Sequence, residues 1–197
     1  MLIGALLVQM QAGRYSAAKA ISSSFVHDII LDNVPVVNVD YIIVQGAVAM
    51  FLLALVLGAL RPQYLLFGLK VTALLVLVRA GFINLTNLGL NPNELILGAT
   101  ASASFRLYRL VDYPGNYFFS GHTAVPFLLA LVFWRARFWR MFFFLASALF
   151  GASVLLAHIH YSIDVFAAPF IAYGMFRIAA LIFPEDYALA AHPQGSD

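Results

Sequence analysis

Five long apolar runs separated by polar stretches dominate the chain. A helix needs about 20 mainly apolar residues to cross roughly 30 Å of hydrocarbon. Four runs meet this requirement clearly, and a fifth ends at Pro184. The predicted spans cover residues 41–60, 64–85, 117–134, 138–157 and 165–183. The pattern therefore predicts an all-α integral membrane protein.

The chain opens with a shorter apolar segment. Residues 1–11, MLIGALLVQMQ, are too few to span, and the polar AGRYSAAKA that follows suits a membrane interface. No basic residues precede the apolar stretch and no convincing cleavage site follows it, so we do not interpret it as a signal peptide. We expect a first helix that is short, tilted or missing its beginning.

Composition supports a membrane protein. Hydrophobic residues make up 63% of the 197 positions and charged residues 10%, against about 45–50% and about 25% in soluble domains. The net charge of +2 comes from scattered arginines, so no nucleic-acid site is predicted. The chain has no cysteine, which excludes disulfides and thiolate ligands or nucleophiles.

One membrane domain accounts for most of the chain. We predict a single transmembrane catalytic domain over residues 1–184 and a solvated, loosely ordered tail over residues 185–197. Polar loops are expected at residues 22–40 and 87–116. Because each span reverses the side of the membrane, both loops open on one face.

The last three spans place two histidines on that same face. The helix that follows His122 turns at residues 135–140, RARFWR, and the next helix returns toward His160. A helical hairpin therefore brings the two histidines together. Counting positive charges slightly favours a cytoplasmic RARFWR turn, which predicts a plasma or inner membrane location with the site facing outward.

His160 and Asp164 form the first candidate catalytic pair. Their i, i+4 spacing stacks the two side chains on one face of a helix. A carboxylate bonded to one ring nitrogen fixes the tautomer and leaves the other nitrogen free as a nucleophile or base. A purely structural pair is the alternative, but ionisable residues at a span end favour function.

Ser120, Gly121 and His122 form the second candidate group. Ser is a good N-cap and Gly allows close backbone approach, so the tripeptide is in part an ordinary helix start. The free N–H groups of such a start can also bind a phosphate, to which His122 could donate a proton. The presence of His160 and Asp164 on the same face favours the second interpretation.

Two cations lie inside the second clear span. Arg79 could bind phosphate through its planar fork or extend to the nearby interface, and the histidines favour phosphate. Lys70 is about half a turn off the face of Arg79 and nearer the opposite side of the membrane. We expect Lys70 to extend to the interface rather than to bind a ligand.

A metal site is not predicted. His158 and His160 are two positions apart, which directs them away from each other on a helix, and no carboxylate at ligand spacing completes a set. No cofactor is predicted either. His27, Asp28 and Asp32 form another polar cluster, for which a solvated loop is the preferred interpretation.

Three segments carry a family resemblance. GNYFFSGHT at 115–123, AHIHYSIDV at 157–165 and RAGFINLTNLG at 79–89 resemble motifs of the sphingomyelin synthase family. That family is a branch of the type 2 phosphatidic acid phosphatase superfamily. The resemblance implies a six-helix membrane bundle and a phosphohistidine mechanism. His160 would attack phosphorus, Asp164 would orient His160, and His122 would protonate the leaving oxygen.

The resemblance also implies groups that bind the substrate. The phosphate oxygens would be bound by Arg79, Ser120 and Gly121. Side chains beside the histidine motifs are expected to contact substrate, namely Asn116, Tyr117, His158 and Tyr161. The synthases usually carry an aspartate where this chain has Asn116, and the lipid phosphatases carry an arginine where it has Val154.

These patterns favour a lipid phosphohydrolase or phosphotransferase whose partners are a lipid phosphoester substrate and membrane lipids. One alternative is an intramembrane serine hydrolase using Ser120, His160 and Asp164, although a Gly-x-Ser-x-Gly elbow is missing. Another is a non-catalytic lipid-binding or transport protein. The sequence predicts no oligomeric state.

Overall fold

The computed structural model describes residues 1–86, 88–98, 103–110 and 112–191, and within these ranges the chain is helical with no strand. The all-α class is therefore confirmed. The helices are α1 Leu2–Ala20, α2 Asp40–Leu60, α3 Pro62–Leu85, α4 Ala103–Tyr108, α5 Gly121–Val132, α6 Arg137–Leu156, α7 Ser162–Ile182 and α8 Pro184–Ala191.

Four of these helices, α2, α3, α6 and α7, are long and apolar enough to cross a membrane. They coincide with four of the predicted spans to within a few residues. The agreement is expected, because the length of each apolar run determines both the predicted span and the helix. Together with α1 and α5 they make six longer helices in the described part of the chain, in agreement with the expected bundle. The helices α4 and α8 are short additions.

The first helix differs from its prediction. α1 is continuous over 19 residues and includes both the apolar opening and the polar residues after it. It packs along α3, where Ala12 contacts Ala80 and Ile83. The close packing of small residues stabilises the polar half of α1 as helix.

The helix α5 begins later than the predicted span 117–134. Its N-cap is Ser120, and the helix has 12 residues. The preceding segment stays non-helical because Arg79 of α3 donates hydrogen bonds to the carbonyls of Asn116 and Phe119, both at 2.8 Å. A tertiary bond from another helix thus sets the start of α5.

The end of the chain also corrects two expectations. Residues 185–191 are not loosely ordered, because α8 packs against α3 and α7. Lys70 of α3 forms an ion pair with Asp186 of α8, so it does not extend freely to the interface. The remainder of the predicted tail, residues 192–197, lies outside the described residues.

The helices α5, α6 and α7 form the framework of the site. α5 packs against both α6 and α7, and small residues such as Ala124 and Ala168 are fully buried between them. The Ser147 hydroxyl donates to the Thr123 carbonyl across the α5–α6 interface at 2.8 Å. This close packing fixes the ends of the three helices from which the candidate residues project.

Candidate active site

His160 lies in the connection between α6 and α7, two residues before α7 begins. Its ring is buried, and Nδ1 is 3.3 Å from Oδ2 of Asp164. The predicted pairing is present, but the assumed helical stacking is wrong, since His160 precedes the helix. Because Asp164 engages Nδ1, the other ring nitrogen, Nε2, is left for chemistry.

Asp164 is fixed more firmly than the sequence indicated. Its side chain is 0% exposed, and Oδ2 also accepts the Tyr161 N–H at 2.9 Å, which forms a capping box at the start of α7. Its other oxygen, Oδ1, has no hydrogen-bond partner among the described residues. A backbone bond from Ser120 N–H to the Asp164 carbonyl, 3.0 Å long, joins the starts of α5 and α7.

His122 faces His160 at the start of α5. The centroids of the two imidazole rings are 6.2 Å apart. His122 also contacts the rings of Tyr108 and Phe150, at 5.6 and 6.2 Å between centroids. The structure thus brings the two histidines together, as the hairpin predicted.

Ser120 acts as the N-cap of α5. Its Oγ accepts hydrogen bonds from the backbone N–H and the hydroxyl of Thr123, at 3.4 and 3.3 Å, and the residue is fully buried. The N–H groups of Gly121 and His122, in the first turn, have no partner within the helix. This geometry suits a helix start that binds an anion, while the serine hydroxyl is occupied in capping.

Arg79 lies beside this helix start. The residue is 8% exposed, and two of its five N–H groups donate to the carbonyls of Asn116 and Phe119. Three N–H groups therefore remain for a ligand. A Cβ on Gly121 would lie 3.4 Å from Arg79 Nε, an ordinary contact distance, so the start of α5 lies directly beside the guanidinium.

Two of the predicted substrate contacts, Tyr161 and Asn116, differ in whether their side chains have hydrogen-bond partners. The Tyr161 hydroxyl donates to the Gly89 carbonyl at 2.9 Å and accepts the Val26 N–H at 3.3 Å, which fixes two loops. Asn116 is buried, and its side-chain amide has no hydrogen-bond partner among the described residues. Only its backbone carbonyl bonds Arg79.

His158 does not join the catalytic pair. It has a positive φ of 55°, and its Nε2 is 3.0 Å from the Val34 carbonyl. The ring lines a separate cavity of about 620 Å³ beneath the loops, together with His27, Asp32 and Asn91. His158 and His160 thus have different neighbours, and His158 lies outside the group formed by His160, Asp164 and His122.

The polar cluster of the first loop divides into two parts. His27 is 3.2 Å from Asp32 and its side chain is 85% exposed, in agreement with a solvated loop. Asp28 contradicts that expectation. Its carboxylate accepts the N–H groups of Ile30, Leu31 and Ser162, the last at 2.7 Å at the start of α7.

The environment of Asp28 changes its acidity. Burial alone would raise the pKa of Asp28, but the hydrogen bonds from Ser162, Ile30 and Leu31 outweigh that effect and lower the pKa below its ordinary value. Asp28 therefore stays ionised and holds the first loop against the start of α7. No local sequence signal indicated this contact, because Asp28 and Ser162 are far apart in the chain.

Two further pairs beside the site were not predicted. The Tyr117 hydroxyl donates to Glu94 Oε2 at 2.9 Å, with the Tyr117 ring 6.3 Å from that of His160. Burial raises the pKa of Glu94, although the bond from Tyr117 opposes the shift. The Tyr108 hydroxyl donates to Asp112 Oδ2 at 2.5 Å. The first pair is a tertiary contact between two loop residues, which local spacing does not encode. The second pair joins residues four positions apart at the end of α4.

An apolar cavity of about 510 Å³ ends at the site. Residues of α1, α2, α3 and α5 line it, and its polar end carries Arg79, Asp112 and His122. Phe51 and Leu55 of the α2 wall are exposed on the surface of the bundle. The cavity thus connects apolar surroundings with the histidine site.

Metal ligands are not clustered in the described ranges. Within residues 1–86, 88–98, 103–110 and 112–191, no group of three or more His, Asp or Glu side chains could hold a metal ion. The candidate site comprises two histidines, one carboxylate and one arginine. These groups suit acid–base and nucleophilic chemistry on an anionic substrate.

Comparison with known proteins gives one match. No curated protein and no solved structure matches the chain. Residues 115–181 match the family described as PAP2 superfamily C-terminal, where PAP2 denotes the type 2 phosphatidic acid phosphatases. The match covers 67 of the 197 residues and includes His122, His160 and Asp164. The match supports a relation of this segment to the PAP2 superfamily.

Proposed function

We propose that the protein is a membrane enzyme that cleaves or transfers the phosphoryl group of a lipid phosphoester through a phosphohistidine intermediate. The observation that carries this proposal is the position of the His160–Asp164 pair. It faces His122 across 6.2 Å, and His122 lies at the polar end of a cavity with apolar walls. A lipid whose chain occupies that cavity would present its phosphate to both histidines.

In the first step, Nε2 of His160 attacks phosphorus. A P–N bond forms, and the bond between phosphorus and the leaving oxygen breaks. His122 gives its proton to that oxygen, so the lipid leaves as an alcohol. Asp164 holds Nδ1–H and balances the positive charge that develops on the His160 ring.

In the second step, water or an acceptor hydroxyl attacks the phosphohistidine. His122, now neutral, takes the proton of the attacking oxygen while the P–N bond breaks. The phosphoryl group leaves on that oxygen, and His160 and His122 return to their initial states. Water as acceptor gives hydrolysis, and a lipid hydroxyl gives transfer.

The transferred group carries negative charge that must be stabilised. Arg79 has three N–H groups left after it binds the carbonyls of Asn116 and Phe119. The first-turn amides of Gly121 and His122 add two further donors beside the guanidinium. These donors are held in place before the substrate arrives, which is the arrangement that lowers a phosphoryl-transfer barrier.

The test measures phosphate release from phosphatidic acid by the detergent-solubilised protein. We expect release by the wild type and a loss of roughly 10³-fold or more in His160→Ala, because the nucleophile is removed. His27→Ala is the control, since His27 is exposed and outside the site. With ³²P-labelled substrate, acid-labile label should appear on the protein and disappear in His160→Ala. Unchanged turnover in His160→Ala would refute the proposal.

The same assay separates the competing functions. Vanadate should inhibit the enzyme as a mimic of the phosphohistidine transition state, and EDTA should not. Inhibition by serine-reactive phosphonates and loss of activity in Ser120→Ala would instead indicate a serine hydrolase. Binding of lipid without any turnover by the wild type would indicate a transport or binding protein. Mass analysis of products formed from phosphatidylcholine with ceramide or diacylglycerol distinguishes transfer from hydrolysis.

We further infer that the site faces the outside of a plasma or inner membrane. Five of the nine arginines lie at the opposite face, and three of these are in or next to the turn between α5 and α6. Because the chain has no cysteine, single cysteines can report the sidedness. In intact cells a membrane-impermeant maleimide should label His27→Cys and not Arg137→Cys. The reverse labelling would refute this orientation.

A further inference from the structure

A glutamine of α1 lies inside the apolar cavity without a partner. Gln9 is 4% exposed, it lines the cavity, and neither Nε2 nor Oε1 of its amide has a hydrogen-bond partner among the described residues. A buried amide without a hydrogen-bond partner destabilises the fold. A ligand in the cavity would supply the missing hydrogen bond.

The position of Gln9 relative to the phosphate-binding groups follows from α1. Gly13 is one helical turn from Gln9, about 6 Å along the axis. A Cβ on Gly13 would lie 2.9 Å from the Asn116 amide nitrogen, and the Asn116 carbonyl accepts the Arg79 bond. Gln9 therefore lies one turn farther into the bundle than the residue to which Arg79 is anchored.

The chemistry of a membrane lipid matches this spacing. In a phospholipid the first polar group between the phosphate and the hydrocarbon is the acyl carbonyl, which is an ester in glycerolipids and an amide in sphingolipids. Beyond it the chain is apolar, as are most walls of the cavity below Gln9, formed by side chains such as Leu2, Leu6 and Leu55. The primary amide of glutamine can donate to a carbonyl through Nε2.

We propose that Gln9 binds the acyl carbonyl of the lipid and thereby selects acyl-linked over alkyl-linked substrates. This inference rests on the proposed function for the location of the phosphate at Arg79 and His122. It adds the substrate class: a phospholipid with an ester or amide next to its head group. Gln9 acts as a positioning residue, because it touches the lipid away from the reacting atoms.

The test measures binding in the His160→Ala background, where turnover does not interfere. The probes are dioleoyl phosphatidic acid, its dialkyl ether analogue and ceramide 1-phosphate, each competing with a fluorescent phosphatidic acid. We expect the ester to bind about fivefold more tightly than the ether, the effect of one net hydrogen bond. Gln9→Leu and the closer isostere Gln9→Met should abolish this preference by weakening ester binding alone.

Gln45→Leu is the matched control. Gln45 also has an unpartnered amide oxygen, but it lies on α2 and does not line the cavity, so its replacement should leave the ester preference intact. Equal affinity for ester and ether before mutation, or a preference that survives both Gln9 variants, would overturn the inference. If the Gln9 variants weaken the binding of only one of these two lipids, phosphatidic acid or ceramide 1-phosphate, the result identifies the carbonyl as an ester or as an amide.

The two proposals fail in different ways. An ester preference that depends on Gln9, in a protein whose wild type releases no phosphate, would refute the proposed reaction and leave the carbonyl site standing. The opposite result is phosphate release that requires His160, together with an ester preference that does not depend on Gln9. It would support the proposed reaction and refute the carbonyl site.

Discussion

Two regions of the molecule hold the polar groups of the candidate site and of its cavity in different ways. In the histidine segment, residues 115–182, the candidate catalytic groups are held by bonds within the segment, such as those from His160 and Ser120 to Asp164. In the cavity segment, residues 1–86, the buried amide of Gln9 has no partner in the described chain. The first region therefore holds its candidate catalytic groups without a ligand, whereas in our proposal the second is completed by its ligand.

The family match follows the same division. It covers residues 115–181, which lie entirely within the histidine segment. Short spacings encode a capping box or a His–Asp pair, so such a segment can be recognised alone. The cavity segment contributes surfaces to the site, and in our proposal its role depends on which lipid it accommodates. Arg79 and Asp28 are among the residues that join the two segments.

The strongest test of preorganisation in the histidine segment is Asp164→Asn. We expect phosphate release to fall by roughly 10²- to 10⁴-fold, the range seen when a group that orients a catalytic histidine is neutralised. The amide keeps an oxygen for the Tyr161 N–H, so the helix start should survive. The measurement is kcat and its pH profile, with exposed Asp32→Asn as the control. A loss below about fivefold would mean that the pair is only structural.

Arg79→Lys tests the contact between the segments. A lysine ammonium cannot hold two carbonyls and also present a planar fork to phosphate, so we expect a loss of about 10- to 100-fold in kcat/KM. Vanadate inhibition should weaken in parallel, because the inhibitor uses the same donors. Lys70→Arg serves as the control, since Lys70 pairs with Asp186 on α8. If Arg79→Lys kept the vanadate affinity of the wild type, Arg79 would not be a phosphate-binding residue.

Gly13→Ala tests how closely α1 must approach the histidine segment. The new methyl group would lie 2.6 Å from Tyr113 Cδ2 and 2.9 Å from the Asn116 amide, so α1 or the loop must move. We expect a loss of about 1–3 kcal/mol in unfolding free energy and a severalfold rise in KM. Gly4→Ala on the same helix has nothing within 4 Å and should be neutral or slightly stabilising. Equal effects of the two variants would contradict the close packing.

Asp28→Asn tests the weaker bond between the loop and α7. Because the folded pKa of Asp28 is lowered, its contribution to stability is present above the unfolded value, near 3.8, and is lost as pH falls through the folded value. At neutral pH we expect a cost of about 1 kcal/mol. The difference between wild type and variant should vanish in acid, whereas Asp32→Asn should be neutral throughout. If the loss of unfolding free energy in Asp28→Asn persisted at low pH, it would arise from packing rather than from the charge of Asp28.

The sequence predicted the parts that depend on hydrophobic length and short spacing. The runs now seen as α2, α3, α6 and α7 were recognisable because each must be about 20 apolar residues long. His122 and His160 could be placed together because a helical hairpin returns the chain to the same face. Ionisable residues beside apolar runs identified Arg79 and Asp164 in the same way.

What could not be predicted depends on partners distant in the chain. Asp28 gives no local sign that it caps α7, and Lys70 gives none that it meets Asp186. The late start of α5 depends on Arg79, which lies 40 residues from Phe119 in the sequence. The pattern of apolar residues contains no information on these contacts, because they arise only when the helices pack.

The cavity has one dimension that bears on the lipids it could hold. It is lined by α3 from Tyr64 to Arg79, a rise of about 22 Å, which exceeds half of a hydrocarbon core roughly 30 Å thick. At its far end the ring of Tyr64 packs against Phe133, 4.7 Å between centroids. An extended chain starting at Arg79 would pass the midplane of the bilayer before it met these rings. The rings of Tyr64 and Phe133, rather than the opposing leaflet, would then limit the length of the acyl chain that fits in the cavity.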